Sequence, residues 1–390
     1  MFLNTLLARN PGLADAAAAL HASGAIPPDT YVIDLDAVEE NARLLAETAE
    51  RLGLGLWFVV KQVGRNPELI KAVARHIPRY AAIDVPEART LHAAGAEPGN
   101  LGHLVQIPRR ALPELLATRP ETVTVFDTAN ARAVSEAARA LGFVQDILIR
   151  VEGAAGSVYP GQEGGVPLAD IDAFAAAAEQ LEGVRIGGVT AFPCVLCDAE
   201  TGVPRPTRTF ELAREAHARL AARGHTGLRL SAPSATSVSS LPLLAQLGAT
   251  HGEPGHALTG TTPQHAIDPH QPEKPGYVYV TEVAHTLADG RPAVFGGGFY
   301  PRAGIKDALL PRTGERLRVE DAPAGNIDYY RLLARPSAGV EPGDTALLAF
   351  RTQIFVTRST VAVVAGLSAG APRLVGRYDA LGRPYQEAAR

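Results

Sequence analysis

Lys61 closes the apolar run "LGLWFVV" in a chain whose 37 basic residues include only four lysines. An amine at the end of an apolar strand costs free energy unless it is paired, at the surface or chemically useful. Low-dielectric walls lower the pKa of such a lysine and expose the free amine, which suits a Schiff base with an aldehyde cofactor or a carbonyl substrate. A solvated strand-end lysine is the bland alternative. Other apolar runs end on Asp84, Gln106, Asp127, Arg150, Phe192, Ser231 with Ser234, and Glu253. Two loops suit an anion: "SAPSATSVSS" and "THGEPGHALTGTTP", whose backbone amides and hydroxyls can collect phosphate oxygens. "CVLCD" holds both cysteines, Cys194 and Cys197. A structural zinc site needs two further ligands, and neither a second CxxC nor an HExxH accompanies it, so no metal is expected.

The elements that carry these residues alternate. Eight short β-rich runs, at 55–60, 80–84, 102–107, 122–127, 146–151, 185–192, 227–231 and 249–253, are separated by amphipathic Ala/Leu/Glu/Arg segments of helical period. Such alternation implies a parallel sheet, and eight units over this length fit a closed (β/α)8 TIM-type barrel. Barrel chemistry sits at the carboxyl ends of the strands, and phosphate sites frequently follow strands seven and eight. A Schiff-base lysine across the mouth from such a cradle suggests pyridoxal phosphate. From residue 272 the pattern becomes β runs divided by Gly/Pro turns, which reads as an antiparallel β domain. The expected layout is a helical extension at 1–30, the barrel at 31–271 and the β domain at 272–390. "TYVIDLDAVEENARLLAETAERLG" adds a strand and helix that cap the barrel or belong to the other domain.

A net charge of −4 with no basic block argues against nucleic-acid and membrane-surface partners. No apolar run reaches membrane-spanning length, and the N-terminus lacks a basic n-region. With only a close pair of cysteines, the expected compartment is the cytoplasm.

"YVIDLDAVEENARLL" followed by "LGLWFVVKQVGRNPELI" resembles the opening of the fold-type III pyridoxal-phosphate enzymes, the alanine racemase and ornithine/diaminopimelate decarboxylase superfamily. "EPGHALTG" is similar to the glutamate-proline-glycine turn of the decarboxylases. "GHLVQIPRR", "YPGQEGG", "FGGGFY", "NIDYY" and "FRTQIFVTRS" extend the likeness to the YhfX-type subgroup over nearly the whole chain. The resemblance implies that Lys61 anchors the cofactor and returns as an acid/base. It implies that Arg150 approaches the phenolic oxygen and that Phe192 stacks on the ring where decarboxylases place a histidine. Ser231, Ser234 and Thr236, with the backbone at Gly255 and His256, fall in the phosphate loops, and Gln353 lies near a cofactor-contacting tyrosine of the decarboxylases. Glu253 aligns with the residue facing the pyridine nitrogen. Two opposite charges about 4 Å apart attract by ~4 kcal/mol at an effective dielectric near 20, enough to keep that nitrogen protonated at neutral pH.

In this fold the second catalytic group comes from the β domain of a partner subunit, so the resemblance implies a homodimer with shared sites. "NIDYY" has Ile327 where the decarboxylases carry a cysteine, which weakens a decarboxylase reading. Asp328, Tyr329, Tyr330 and Tyr300 are the candidates for the opposing acid/base, each with β-domain packing as its alternative. The expected activity is racemisation at the α-carbon of an amino acid, with decarboxylase and aldolase as alternatives in the same fold. A non-catalytic pyridoxal-phosphate carrier is the alternative outside it, distinguished by lacking a C-terminal β domain.

Overall fold

The computed structural model describes residues 2–300, 304–323 and 325–385. Helices α1 (Phe2–Arg9) and α2 (Pro11–Ala22) lead into strand β1 (Thr30–Asp34) and helix α3 (Leu35–Arg51). Pro11 opens α2 where a missing amide costs nothing. The chain then divides into two compact units, one of residues 42–59 and 73–255, the other of 1–41, 60–72 and 256–390.

The first unit is a parallel barrel. Its strands are β2 (Gly55–Leu56), β3 (Arg79–Ala82), β4 (Glu97–Leu101), β5 (Thr122–Val125), β6 (Gln145–Arg150) and β7 (Val184–Thr190). After a small hairpin of β8 (Val195–Cys197) and β9 (Pro204–Pro206) come β10 (Arg229–Ser231) and β11 (His251–Gly252). The eight barrel strands run β2-β11-β10-β7-β6-β5-β4-β3. A parallel bridge from Phe58 to Tyr80 joins the last neighbours, with Phe58 N donating to Arg79 O and Ala81 N to Phe58 O. Helix α4 (Pro67–Ala74) follows the first barrel strand. Then come α5 (Val85–Ala93), α6 (Leu112–Ala117), α7 (Thr128–Ala140), α8 (Ile171–Ala178), α9 (Arg208–Ala222) and α10 (Leu241–Gln246).

Two of the strand-end acids are helix caps. Asp84 accepts from Glu87 N at 2.7 Å and Asp127 from Asn130 N at 2.7 Å, each satisfying an amide left over at a helix start. The third barrel strand, β4, differs from the expected 102–107 and lies at "EPGNL", 97–101. A turn-like sequence serves as a strand there because the Trp57 indole fills the space beside Gly99, where a Cβ would stand 2.2 Å from Trp57 Cδ1. Asn100 Oδ1 meanwhile accepts from the Thr124 hydroxyl at 2.9 Å. The run at 102–107 turns away instead, and Gln106 donates to Gly102 O and Thr124 O.

The second unit is built on a sheet of β12 (Tyr277–Thr286), β13 (Pro292–Phe295), β14 (Asp307–Leu310), β15 (Glu315–Arg318), β16 (Tyr330–Leu332), β17 (Thr345–Leu348), β18 (Thr360–Ala365) and β19 (Arg373–Asp379). Short helix α11 (Pro263–Ile267) precedes it. The order is β15-β14-β17-β12-β1-β18-β19, with β13 on β12 and β16 on β13. Strand β1, inside the range 31–271 expected of the barrel, thus belongs to this sheet, antiparallel to β12 and parallel to β18. Burial explains the placement: Val32 packs with Val278, Val280, Ala362 and Val364 under Leu3, Leu6, Leu13 and Ala17 of the two N-terminal helices. The helices of the 1–30 extension therefore cover one face of this sheet. No helix among the described residues is long and apolar enough to cross a membrane.

Candidate active site

In the barrel unit the segment after β2 is zipped to β11: Trp57 N donates to Gly252 O at 3.1 Å and Val59 N to Pro254 O at 2.9 Å. Lys61 is the second residue after Val59, and Glu253 immediately precedes Pro254. The Glu253 side chain is buried, its Oε1 accepting from the Ser231 hydroxyl at 3.3 Å while its amide donates to Thr236 Oγ1 at 3.0 Å. Thr236 thus fixes the backbone that presents Glu253, and Ser231 holds the carboxylate.

Arg150 is buried and, among the described residues, makes no ion pair with the barrel-mouth acids: its guanidinium donates to His103 O at 2.8 Å, Gln162 O at 2.6 Å and Gly164 O at 3.2 Å. It also lies over the Phe126 ring, 4.7 Å from its centroid. Burial lowers its pKa to about 10, opposed by the nearby Cys194 and Glu253. Its contacts rivet the "YPGQEGG" loop to the segment after β4. Ser234 Oγ accepts from Cys194 N and Val195 N, each at 3.1 Å, and donates to Val195 O at 2.7 Å. That hydroxyl holds the β8 segment in place and is not offered to a phosphate. Phe192 is half-buried, with His103 edge-on at 5.6 Å and Tyr159 tilted at 6.0 Å. His103 went unnoticed in the sequence because it sits in the run 102–107, misassigned as the third barrel strand. The Cys194 thiol donates to Ala191 O at 3.1 Å, and burial pushes its pKa up. Among the described residues no group of three His, Cys, Asp or Glu side chains is arranged to hold a metal ion.

In the second unit Lys61 begins a short 3-10 turn, Lys61–Val63, that packs against the turn Ile354–Val356. Gly64 permits this approach at φ +67°, since a Cβ there would stand 2.9 Å from Ile354 Cγ2. His256 Nε2 meets Gln353 Nε2 at 3.3 Å. The ring is half-buried, with its Nδ1 sealed from solvent and without a hydrogen-bond partner among the described residues. Burial, Arg351 and Lys61 hold the imidazole well below the usual histidine range. Gln353 Oε1 is likewise sealed and unmatched. The Tyr277 hydroxyl has Thr261 within reach but makes no hydrogen bond of normal geometry. His256 is therefore a neutral imidazole rather than a cation for a phosphate.

The β-domain candidates separate. Asp328 Oδ2 accepts from Gly297 N at 2.8 Å and Phe299 N at 3.0 Å, while Oδ1 pairs with Arg331 Nε at 3.2 Å. The carboxylate is the staple of the "GGGFY" turn. Tyr329 and Tyr330 are 66% and 49% exposed, the latter edge-on to His285 at 5.1 Å, and Tyr300 is half-buried.

The family profile described as "Alanine racemase, N-terminal domain" matches residues 33–263, and "YhfX-like, C-terminal domain" matches 278–374. The chain belongs to the alanine racemase fold family, in its YhfX-like branch. It is 40% identical to the Escherichia coli (strain K12) protein YhfX over 385 residues, 98% of this chain and 99% of that one. Solved structures that resemble it include D-threonine aldolase from Filomicrobium marinum, at TM-score 0.66 and 18% identity over 91% of this chain and 95% of that one. Alanine racemase from Clostridium difficile 630 matches at TM-score 0.64 and 14% identity over 91% and 99%. D-threo-3-hydroxyaspartate dehydratase from Delftia sp. HT23 matches at 0.63 and 17% over 92% and 98%. At these identities the structural likeness concerns the fold alone.

Proposed function

We propose that this member of the family is a pyridoxal-phosphate-dependent enzyme acting at the α-carbon of an amino acid, as a homodimer, with racemisation as its reaction. The observation that carries the cofactor reading is the zipper between the segment after β2 and β11. Lys61 follows the bonded Val59 by two residues in the sequence, and Glu253 directly follows β11. The donor set fits the group: an amine for the aldehyde, a buried carboxylate for the ring nitrogen, and sealed polar atoms, His256 Nδ1 and Gln353 Oε1, that lack partners among the described residues. The cofactor, when bound, supplies an electron sink for the bond broken at the α-carbon.

The residues supply the rest. Lys61 would hold the cofactor's aldehyde carbon until the substrate amine displaces it, and its freed amine would then move a proton on one face of the substrate. Glu253, steadied by Ser231, keeps a proton at the ring nitrogen. Arg150 holds the mouth loops with three donors and, having two N–H groups left, can still face an oxygen. Phe192 offers an aromatic face, and the backbone at Gly255 with His256 meets the phosphate in place of the Ser234 hydroxyl. For the opposing acid/base, Tyr300, Tyr329 and Tyr330 are the hydroxyl candidates, while Asp328 is committed to two amides and Arg331.

Visible absorption of the protein incubated with pyridoxal phosphate tests the cofactor reading: wild type gains a band that Lys61→Ala lacks, and a colourless wild type refutes it. Chiral chromatography over a panel of amino acids then tests the reaction. Release of only CO2 or an aldehyde would replace racemase by decarboxylase or aldolase.

A further inference from the structure

Gln353 and His256 meet nitrogen to nitrogen, at 3.3 Å. An amide NH2 has only hydrogens to offer, so the imidazole nitrogen it meets must present a lone pair, and the one proton of a neutral ring then sits on Nδ1. Nδ1 is sealed from solvent and has no acceptor among the described residues. A buried N–H left in that state costs about 1–3 kcal/mol, and such an exception calls for an acceptor that the protein does not itself supply. The charged groups that act on the ring, Arg351 and Lys61, are both cations, and with burial they keep it from taking a second proton. The surroundings therefore favour an anion while forbidding the histidine to become a cation.

We propose that Gln353 fixes His256 as the neutral Nδ1–H tautomer, so that Nδ1 donates to a bound oxyanion, the phosphate of the cofactor. The identity of the oxyanion rests on the cofactor reading above; the tautomer does not. Gln353 is here a positioning residue that acts through His256. A neutral donor has a physical merit: a phosphate monoester takes up its second proton near pH 6, where an ordinary histidine also titrates. A ring that does not change charge keeps the same hydrogen bond on both sides of that transition.

Nitrogen-15 NMR of labelled histidines in the unloaded protein, with the His256 signals assigned by their loss in His256→Phe, tests the tautomer. The expected spectrum is Nδ1–H from about pH 6 to 8. An imidazolium there, or the Nε2–H form that a reversed Gln353 amide would stabilise, overturns the proposal. Gln353→Glu places a carboxylate acceptor at Nε2 and should convert the ring to Nε2–H or imidazolium; an unchanged spectrum overturns the role of Gln353. Absorbance titrations with pyridoxal phosphate and with pyridoxal test the oxyanion. His256→Phe should weaken pyridoxal phosphate by about tenfold or more, as for a hydrogen bond to a charged group, and leave pyridoxal unchanged. Equal weakening of both compounds, or pyridoxal phosphate affinity within about twofold of wild type, refutes the phosphate assignment. A wild type that binds neither compound overturns the cofactor reading and with it the identity of the oxyanion, while the spectra still decide the tautomer.

Discussion

Arg150 illustrates how one strand-end residue is divided between scaffold and chemistry. Three of its donors are spent on the backbone carbonyls of His103, Gln162 and Gly164, so its first task is to hold two loops at the carboxyl end of the barrel. Arg150→Met would leave those carbonyls without donors, at a cost of about 3 kcal/mol or more. The expected outcome is a lower urea midpoint together with faster proteolysis between residues 152 and 165, seen without cofactor; unchanged cleavage would argue against the rivet. Glu253 makes the opposite case, since its carboxylate is steadied by the Ser231 hydroxyl rather than spent on backbone groups of the mouth loops. Glu253→Gln keeps volume and removes charge. On the proposed function it should fold normally and lower kcat roughly a hundredfold or more, the order that an attraction of ~4 kcal/mol at the ring nitrogen allows. Steady-state kinetics on the substrate that the amino-acid panel identifies checks this, and kcat within about threefold of wild type would remove Glu253 from that role.

At the scale of elements, strand existence was legible and strand position was not always so. Seven of the expected runs overlap barrel strands because their apolar β-branched residues are buried on both faces, a pattern that periodicity reports. The third barrel strand, "EPGNL", hides its nature because proline and glycine usually punctuate strands. Only the tertiary partner explains Gly99, whose missing side chain makes room for Trp57. Gly99→Ala should therefore destabilise the barrel by about 1–3 kcal/mol through overpacking. A double-mutant cycle with Trp57→Leu should recover part of that loss, measured by chemical denaturation with circular dichroism, and strict additivity would disprove the contact. The same limit applied to site residues. Lys61, Glu253 and Arg150 could be picked out by where their strands stop. The engagement of Ser234 with the β8 segment, and of Asp328 with the "GGGFY" turn, depends on turns whose geometry no spacing encodes.

For the whole molecule, the acid side of the stability curve is set by histidines that each unit buries in neutral form. In the barrel His251 stacks on Trp57 at 4.3 Å, and burial chiefly lowers its pKa to about 4. In the other unit His265 accepts from the Thr262 hydroxyl and donates to Glu273 O, and burial again lowers its pKa to about 4. Both groups bind a proton more readily when unfolded, near pH 6.5, so their stabilising effect is full above that value and is lost as pH falls toward 4. Asp29 works the other way. Burial, against hydrogen bonds from Ser359 and Tyr279, raises it to about 6, so the folded state gains a proton there before the unfolded one does. Its share of stability rises as pH drops from about 6 toward 4. His256, also held well below the usual histidine range, adds to His251 and His265, so the histidines outweigh this carboxyl and leave a net loss on the order of 1–2 kcal/mol or more per pH unit below about pH 6. The chain's one tryptophan is Trp57, so its fluorescence follows the barrel unit alone, while circular dichroism follows both. Urea unfolding at about pH 7 and pH 5 should show the loss by both probes. Asp29→Asn should raise stability at the higher pH and steepen the loss between the two, because the opposing titration is gone. A flat profile in the wild type, or a shallower one in the variant, would contradict this assignment of the protons.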